Sequence, residues 1–285
     1  MTQPSEHKMV FKMDSDVFSE SVKYEKDNES PREFQPVSMV FKMDAQMEVI
    51  ERPAVPSSNN SQQKLQPPYV CILNHEDFSE NPGLNRKGSS KDVEALHRTF
   101  RKLNCQIEDV SNPTFAKVQD TMEKLSEKNF DNLAGVVIVI LSHGDLKEKI
   151  LTCDSKVYDL DEHVLFKLFE NRTLRRKHKI LIVQACRNGW EKEAVMRHGS
   201  QFMKCYSTTE RFDSFLDPST GSIYIQTLCA AMDQDALEKD FKLIIEDVNE
   251  KVEKLAKLKG TNQTPSISYN KWQPLCFGHF VKNAL

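Results

Sequence analysis

The residue types of a nucleophile and its base stand at the ends of two apolar runs. Gln184-Ala185-Cys186-Arg187-Asn188 follows Ile180-Leu181-Ile182-Val183, and Ser142-His143-Gly144 closes the Val/Ile-rich run from Leu133 to Leu141. Runs of this length and composition predict fully buried strands. A thiol at the C-terminal tip of such a strand lies where open α/β sheets gather their ligands. His143 precedes Cys186 by 43 positions (186 − 143). If the two strands are neighbours, the imidazole takes the thiol proton, or holds it as an ion pair, and leaves a thiolate nucleophile. A lone cysteine in an apolar run is more often an inert core thiol, and a lone histidine a satisfied loop residue. The pair, each within its own motif, reverses that expectation.

The elements that must position the pair alternate from Tyr69 onward. Strands are predicted at 69–73, 105–110, 133–141, 180–183 and 202–207, and a last apolar strand at 276–281 after Pro274. Between them, Ser89 or Ser90 is placed to cap a helix carrying Val93, Leu96, Phe100 and Leu103 on one face. A second helix follows Pro113 with Phe115, Val118, Met122 and Leu125 at the same spacing, and another is expected around 161–170. Residues 221–232 and 237–258 read as helices, the latter turning Phe241, Ile244, Ile245, Val248, Val252 and Leu255 inward. This alternation predicts an α/β fold, a mostly parallel six-stranded sheet with helices on both faces. The first strand-to-helix turn has no G-x-G-x-x-G, which argues against a dinucleotide site.

Residues 1–68 differ from the rest. They hold no glycine, seven of the twelve prolines, and 8 Lys/Arg against 11 Asp/Glu, so the whole net charge of −3 resides there. Such a stretch is expected to be a disordered leader. Within it Met9-Val10-Phe11-Lys12-Met13-Asp14 recurs as Met39-Val40-Phe41-Lys42-Met43-Asp44. Two readings stay open: a duplication under little constraint, or two cleavage sites after Asp14 and Asp44. The charges are mixed, with no basic stripe to bind nucleic acid. No apolar run approaches the ~18 residues of a membrane span, and no signal peptide opens the chain. Seven scattered cysteines without a C-x-x-C pair suggest no metal, no cofactor and a reducing, cytoplasmic setting.

From Tyr69 onward the chain resembles the caspase domain. Gln184-Ala185-Cys186-Arg187 and the upstream His143 carry that resemblance. So do Arg86-Lys87-Gly88-Ser89, similar to an Arg-x-Gly-Ser/Thr segment, and the flanks Tyr206-Ser207-Thr208 and Gly221 to Leu228. The resemblance implies a catalytic domain over 69–285, with a large-subunit-like part at 69–186, a linker at 187–204 and a small-subunit-like part at 205–285. It implies Cys186 as nucleophile, His143 as general acid/base, and the N–H groups of Gly144 and Cys186 as an oxyanion hole. Arg86 and Gln184 match positions that bind a substrate aspartate, and Ser142, Ser214 and Phe215 fall at substrate-binding positions.

Three departures qualify that likeness. The loop Thr209 to Thr220 aligns without gaps and places Ser214-Phe215-Leu216 where the family usually has Ser-Trp-Arg. Leu216 thus replaces the second guanidinium on the substrate carboxylate. Losing such a partner costs about 2–5 kcal/mol, or roughly 30- to several-thousand-fold in kcat/KM. Asp213 puts an acid where an aromatic is usual, and Arg211 stands nearby as a candidate compensating cation. Asn188 stands for a glycine and is the next most tolerant of a positive φ. Finally, 187–204 contains no Asp, so the usual activating cut after Asp has no target there. Two functions are therefore expected in competition. One is an Asp-preferring cysteine endopeptidase of protein or peptide substrates in apoptosis or related signalling, made as a zymogen. The other is a weak or inactive homologue that binds other caspases as a decoy. Under either, residues 275–281 resemble an edge strand for a homodimer or a heterodimer with another caspase.

Overall fold

A computed structural model of the chain describes residues 65–144, 149–186, 201–208 and 216–281. All belong to the second of the two units into which the chain divides, Ser58–Leu285. The leader repeat with Asp14 and Asp44, Asn188, most of the linker, Arg211, Asp213, Ser214 and Phe215 lie outside the described residues.

Six strands form one sheet. In chain order they are β1 (Tyr69–Asn74), β2 (Ile107–Ser111), β3 (Gly135–Leu141), β6 (His178–Gln184), β7 (Phe202–Tyr206) and β10 (Ser266–Asn270). Two small hairpins account for the remaining numbers: β4 (Lys149–Leu151) with β5 (Val157–Asp159), and β8 (Leu216–Asp217) with β9 (Gly221–Ser222). The sheet runs β10-β7-β6-β3-β1-β2, parallel throughout except for β10, which pairs antiparallel with β7. The sheet is thus the mostly parallel, six-stranded one expected.

Helices cover both faces, as a parallel sheet requires. On one lie α1 (Ser89–Lys102), α4 (Ile223–Asp235) and α5 (Phe241–Leu258); on the other α2 (Phe115–Glu127) and the short α3 (Phe166–Glu170), entered through a wide turn at Leu160–Leu165. Strand side chains alternate between the two cores: Val137, Val139 and Leu141 pack toward α1, α4 and α5, while Val136, Ile138 and Ile140 pack toward α2 and α3. After β1 the chain runs outward to β2, then reverses across β1 to β3. The point of reversal opens a crevice above the C-terminal ends of β1 and β3. Among the described residues no helix is long and apolar enough to cross a membrane.

Several local expectations need correction. Neither Ser89 nor Ser90 caps α1; Gly88 occupies the cap with φ 98° and no side-chain hydrogen bond is made there. Leu255 is 41% exposed, and Ala256 takes the inward position instead. Residues 276–281 form no strand. Phe277–His279 is a single tight helical turn, and the true last strand is the more polar β10. The backbone explains this: Phe277 donates to the Ala236 carbonyl (3.0 Å), and Phe241 donates to the Leu275 carbonyl (2.8 Å). Asp240 caps α5 and also accepts from the Leu275 N–H and the Trp272 indole. These groups are spent on the α4–α5 corner, where Phe277 buries against Phe100 and Phe241. Gly278 sits so tightly there that a Cβ would press into the Leu237 carbonyl. Gly278→Ala should therefore destabilise the domain by about 1–3 kcal/mol, seen as a lower midpoint in urea unfolding.

Candidate active site

β3 and β6 pair in parallel with Leu141 opposite Gln184. His143 and Cys186 each lie two residues beyond that pair. Equal offsets on adjacent strands about 4.8 Å apart bring them to the same spot on the rim. The chain stays paired past the strand ends, since the Ser142 N–H donates to the Gln184 carbonyl at 3.1 Å. Gly144 then passes so close that a Cβ would run into the Cys186 carbonyl oxygen and touch the Ala185 side chain. Cys186 itself is half-buried and is not part of a disulfide; all seven cysteines are free thiols.

The imidazole of His143 is oriented from the β1 side of the crevice. Its Nε2 lies 2.7 Å from the Leu84 carbonyl, and a carbonyl only accepts, so Nε2 carries the proton and Nδ1 keeps its lone pair. The ring tilts against Phe78 at 5.2 Å between centroids. Burial holds its pKa below the ordinary histidine value; the Arg86 charge pushes the same way, while the bond to Leu84 opposes. The neutral imidazole is a ready proton acceptor at neutral pH.

Arg86 is buried, at 5% exposure, in the loop between β1 and α1. One guanidinium nitrogen donates to the Ser89 hydroxyl at 2.7 Å and reaches the His75 carbonyl at 3.4 Å. The Ser89 hydroxyl passes the contact on to Asn74 at 2.6 Å. Burial draws the Arg86 pKa down to about 10, against the pull of Asp92 and then Cys186. A buried cation bonded only to neutral oxygens is prepared for an anion. Gly88 allows the turn that presents it, since its left-handed φ brings its Cα against the backbone of Asp217 and Pro218.

The structure thus brings together His143, Gly144, Cys186 and the Gln184 backbone, with Arg86 on the adjoining loop. The Gln184 side chain is fully buried at the end of β6. Ser142 is buried and its hydroxyl donates to the Leu151 carbonyl at 2.6 Å, which braces β4 against the His143 turn. Three contributors went unread in the sequence: Leu84 and Phe78, which orient the imidazole, and Asn74, which with Ser89 of the Arg-x-Gly-Ser segment orients Arg86. Leu84 acts through a backbone carbonyl, which no side-chain pattern reveals. The arrangement holds what acyl transfer through a thiolate requires: a thiol, a neutral imidazole with a free lone pair, and backbone N–H groups beside both.

The caspase domain model matches residues 68–274, well over half of the chain. The chain belongs to the caspase family. Among curated relatives, caspase-3 of Mesocricetus auratus is 29% identical over 202 residues, covering 64% of this chain and 72% of the relative. Caspase-3 of Mus musculus and of Oryctolagus cuniculus are each 28% identical over 200 residues, with the same coverage.

Two outcomes follow from the site's geometry. Gly144→Ala must displace the backbone at Cys186 and should lower kcat/KM by roughly 10²-fold or more with little loss of secondary structure, read by peptide hydrolysis beside circular dichroism. The acid limb of the kcat/KM profile reports the free enzyme's base, and the His143 pKa is lowered. Activity should therefore persist as pH falls through the ordinary histidine value near 6.5, the limb appearing only below it.

Proposed function

We propose that this caspase-family chain is a cysteine endopeptidase with Cys186 as nucleophile and His143 as general base and acid, cleaving after Asp with reduced efficiency. One observation carries the proposal: the β3–β6 register sets His143 and Cys186 at equal offsets, with Gly144 packed on the Cys186 backbone. In the proposed reaction Nδ1 of His143 takes the thiol proton and the Sγ thiolate attacks the scissile carbonyl. The developing oxyanion is received by the N–H groups of Gly144 and Cys186. The imidazolium returns its proton to the leaving amine, and water, deprotonated by the same Nδ1, then releases the acyl group as a free acid. Arg86, with Gln184, is proposed to receive the substrate aspartate, while Ser142 holds the loop in place.

Leu216 favours a second function, a weak or inactive homologue that regulates other caspases by binding them. It is half-buried on β8, opposite Ser222 of β9, where the family places its second arginine. Under both readings we propose a homodimer or a heterodimer with another caspase, through the edge strand β10 with its exposed Tyr269 rather than through 276–281. A cytoplasmic setting fits seven free thiols.

A thiol-reactive ketone peptide ending in Asp, and a counterpart ending in Ala, separate the two functions. The peptidase predicts labelling of Cys186 in the wild type, faster with the acidic probe, and none in Cys186→Ala. Absence of labelling with both probes leaves the decoy.

A further inference from the structure

Resting on the peptidase reading above, an inference about substrate choice comes from a charge that the proposed mechanism leaves unused. Asp92, in the first turn of α1, is fully buried. One of its oxygens, Oδ1, accepts from the Ser222 N–H at 2.9 Å and from the Gln226 amide at 2.8 Å. Its other oxygen, Oδ2, is buried with no hydrogen-bond partner. Gly221 packs on it so closely that a Cβ would collide with the carboxylate. Asp92 therefore ties the loop that carries Arg86 to the β8–β9 hairpin that carries Leu216.

Among the described residues neither Asp92 nor Arg86 forms a direct ion pair, for the partners of each are neutral groups. Yet each acts on the other through the buried interior, and Asp92 is the strongest of the negative charges felt by Arg86, ahead of Cys186 and Glu76. Two guanidinium groups facing one resident carboxylate leave a surplus of one positive charge for an acidic side chain. With leucine at 216 the buried charges here among the described residues are one cation, Arg86, and one anion, Asp92. A substrate carboxylate would then arrive at a site already neutral and leave a buried negative charge uncompensated, which low-dielectric surroundings penalise.

We propose that Asp92 is a specificity-determining residue: as the resident counter-charge of Arg86 it cancels the preference for Asp over its uncharged isostere Asn at the residue preceding the scissile bond. Arg86 donates to the oxygen of a carboxamide as it does to a carboxylate, so Asn keeps the hydrogen bonds without bringing a second negative charge. Specificity is a difference of affinities, and here the charge part of that difference is removed.

The test reads binding apart from chemistry. Full-length protein carrying Cys186→Ala is titrated calorimetrically with acetyl-tetrapeptide amides randomised at the first three positions and ending in Asp, Asn, Glu or Gln. The expected result is Asp and Asn within about threefold of each other. Adding Asp92→Asn, which keeps the Oδ1 acceptor but removes the charge, should shift the Asp/Asn ratio toward Asp by roughly tenfold, the size of about one pKa unit of charge interaction. Leu216→Arg should shift it the same way, and decides the matter if Asp92→Asn does not fold. A purely bracing role for Asp92 would weaken all four peptides alike. An Asp preference above tenfold in the parent protein, an unchanged ratio in the folded variants, or no binding of any peptide overturns the inference. Hydrolysis of the same peptides by protein retaining Cys186 is scored separately. Binding in the expected ratio without hydrolysis supports the inference and rejects the peptidase, whereas hydrolysis with a strong Asp preference rejects the inference alone.

Discussion

The parallel register between β3 and β6 is the constraint on which the site depends. A shift of one residue would turn every side chain of β6 to the opposite face of the sheet. Leu181 and Val183 would leave the core beneath α2 and α3, and Ile180 and Ile182 the core beneath α1, α4 and α5. Both faces are buried, so slippage is opposed from two sides at once. The same register that satisfies the core also sets where the strands end, and hence which residues meet on the rim. The meeting of His143 and Cys186 on the rim is a by-product of apolar packing, held by many contacts along both strands.

A second constraint acts at right angles to the sheet. The Arg86 loop is held from below by Asn74 and Ser89 and from the side by the β8–β9 hairpin. Asp92 links the two through Ser222 and Gln226. Charges in this region act over distance because water is excluded. Burial lowers the pKa of both His143 and His75, and the field of Arg86 adds to it, in each case behind burial and an opposing hydrogen bond to a backbone carbonyl. The Arg86 guanidinium and the His143 imidazole are therefore electrostatically linked, although they come from different loops.

The sheet was largely legible in the sequence because its strands are buried on both faces and read as unbroken Val/Ile/Leu runs. β1, β3 and β6 are of this kind, and they deliver His143 and Cys186. Legibility failed where burial is partial. β10, Ser266–Asn270, is polar and only half-covered, whereas Leu275 and Phe277 are apolar without belonging to a strand, so the apolar pattern points some ten residues beyond the true last strand. The three-residue strands of β4 and β5 are too short to carry a period. Around the site, side-chain motifs were readable and backbone partners were not. Ser89 followed three residues later by Asp92 looks like a helix-capping pair. In the fold both side chains are turned elsewhere, Ser89 to Arg86 and Asp92 to the hairpin.

Leu216 shows why such a domain can change the charge at one position without losing its shape. The residue's place is fixed by main-chain pairing with Ser222, by Asp217 lying against Gly88, and by the Asp217 carboxylate capping the turn through Ser219 and Thr220. None of these contacts involves the side chain at 216. A leucine in place of a guanidinium there removes a cation, leaving the hairpin, the helix and the strands β3 and β6 undisturbed. Asp92 is differently placed: its carboxylate is both a structural acceptor and a charge, so removing the whole side chain would cost packing as well as electrostatics. Divergence is thus cheapest at 216, and there it changes the local charge while the ends of β3 and β6 stay in register.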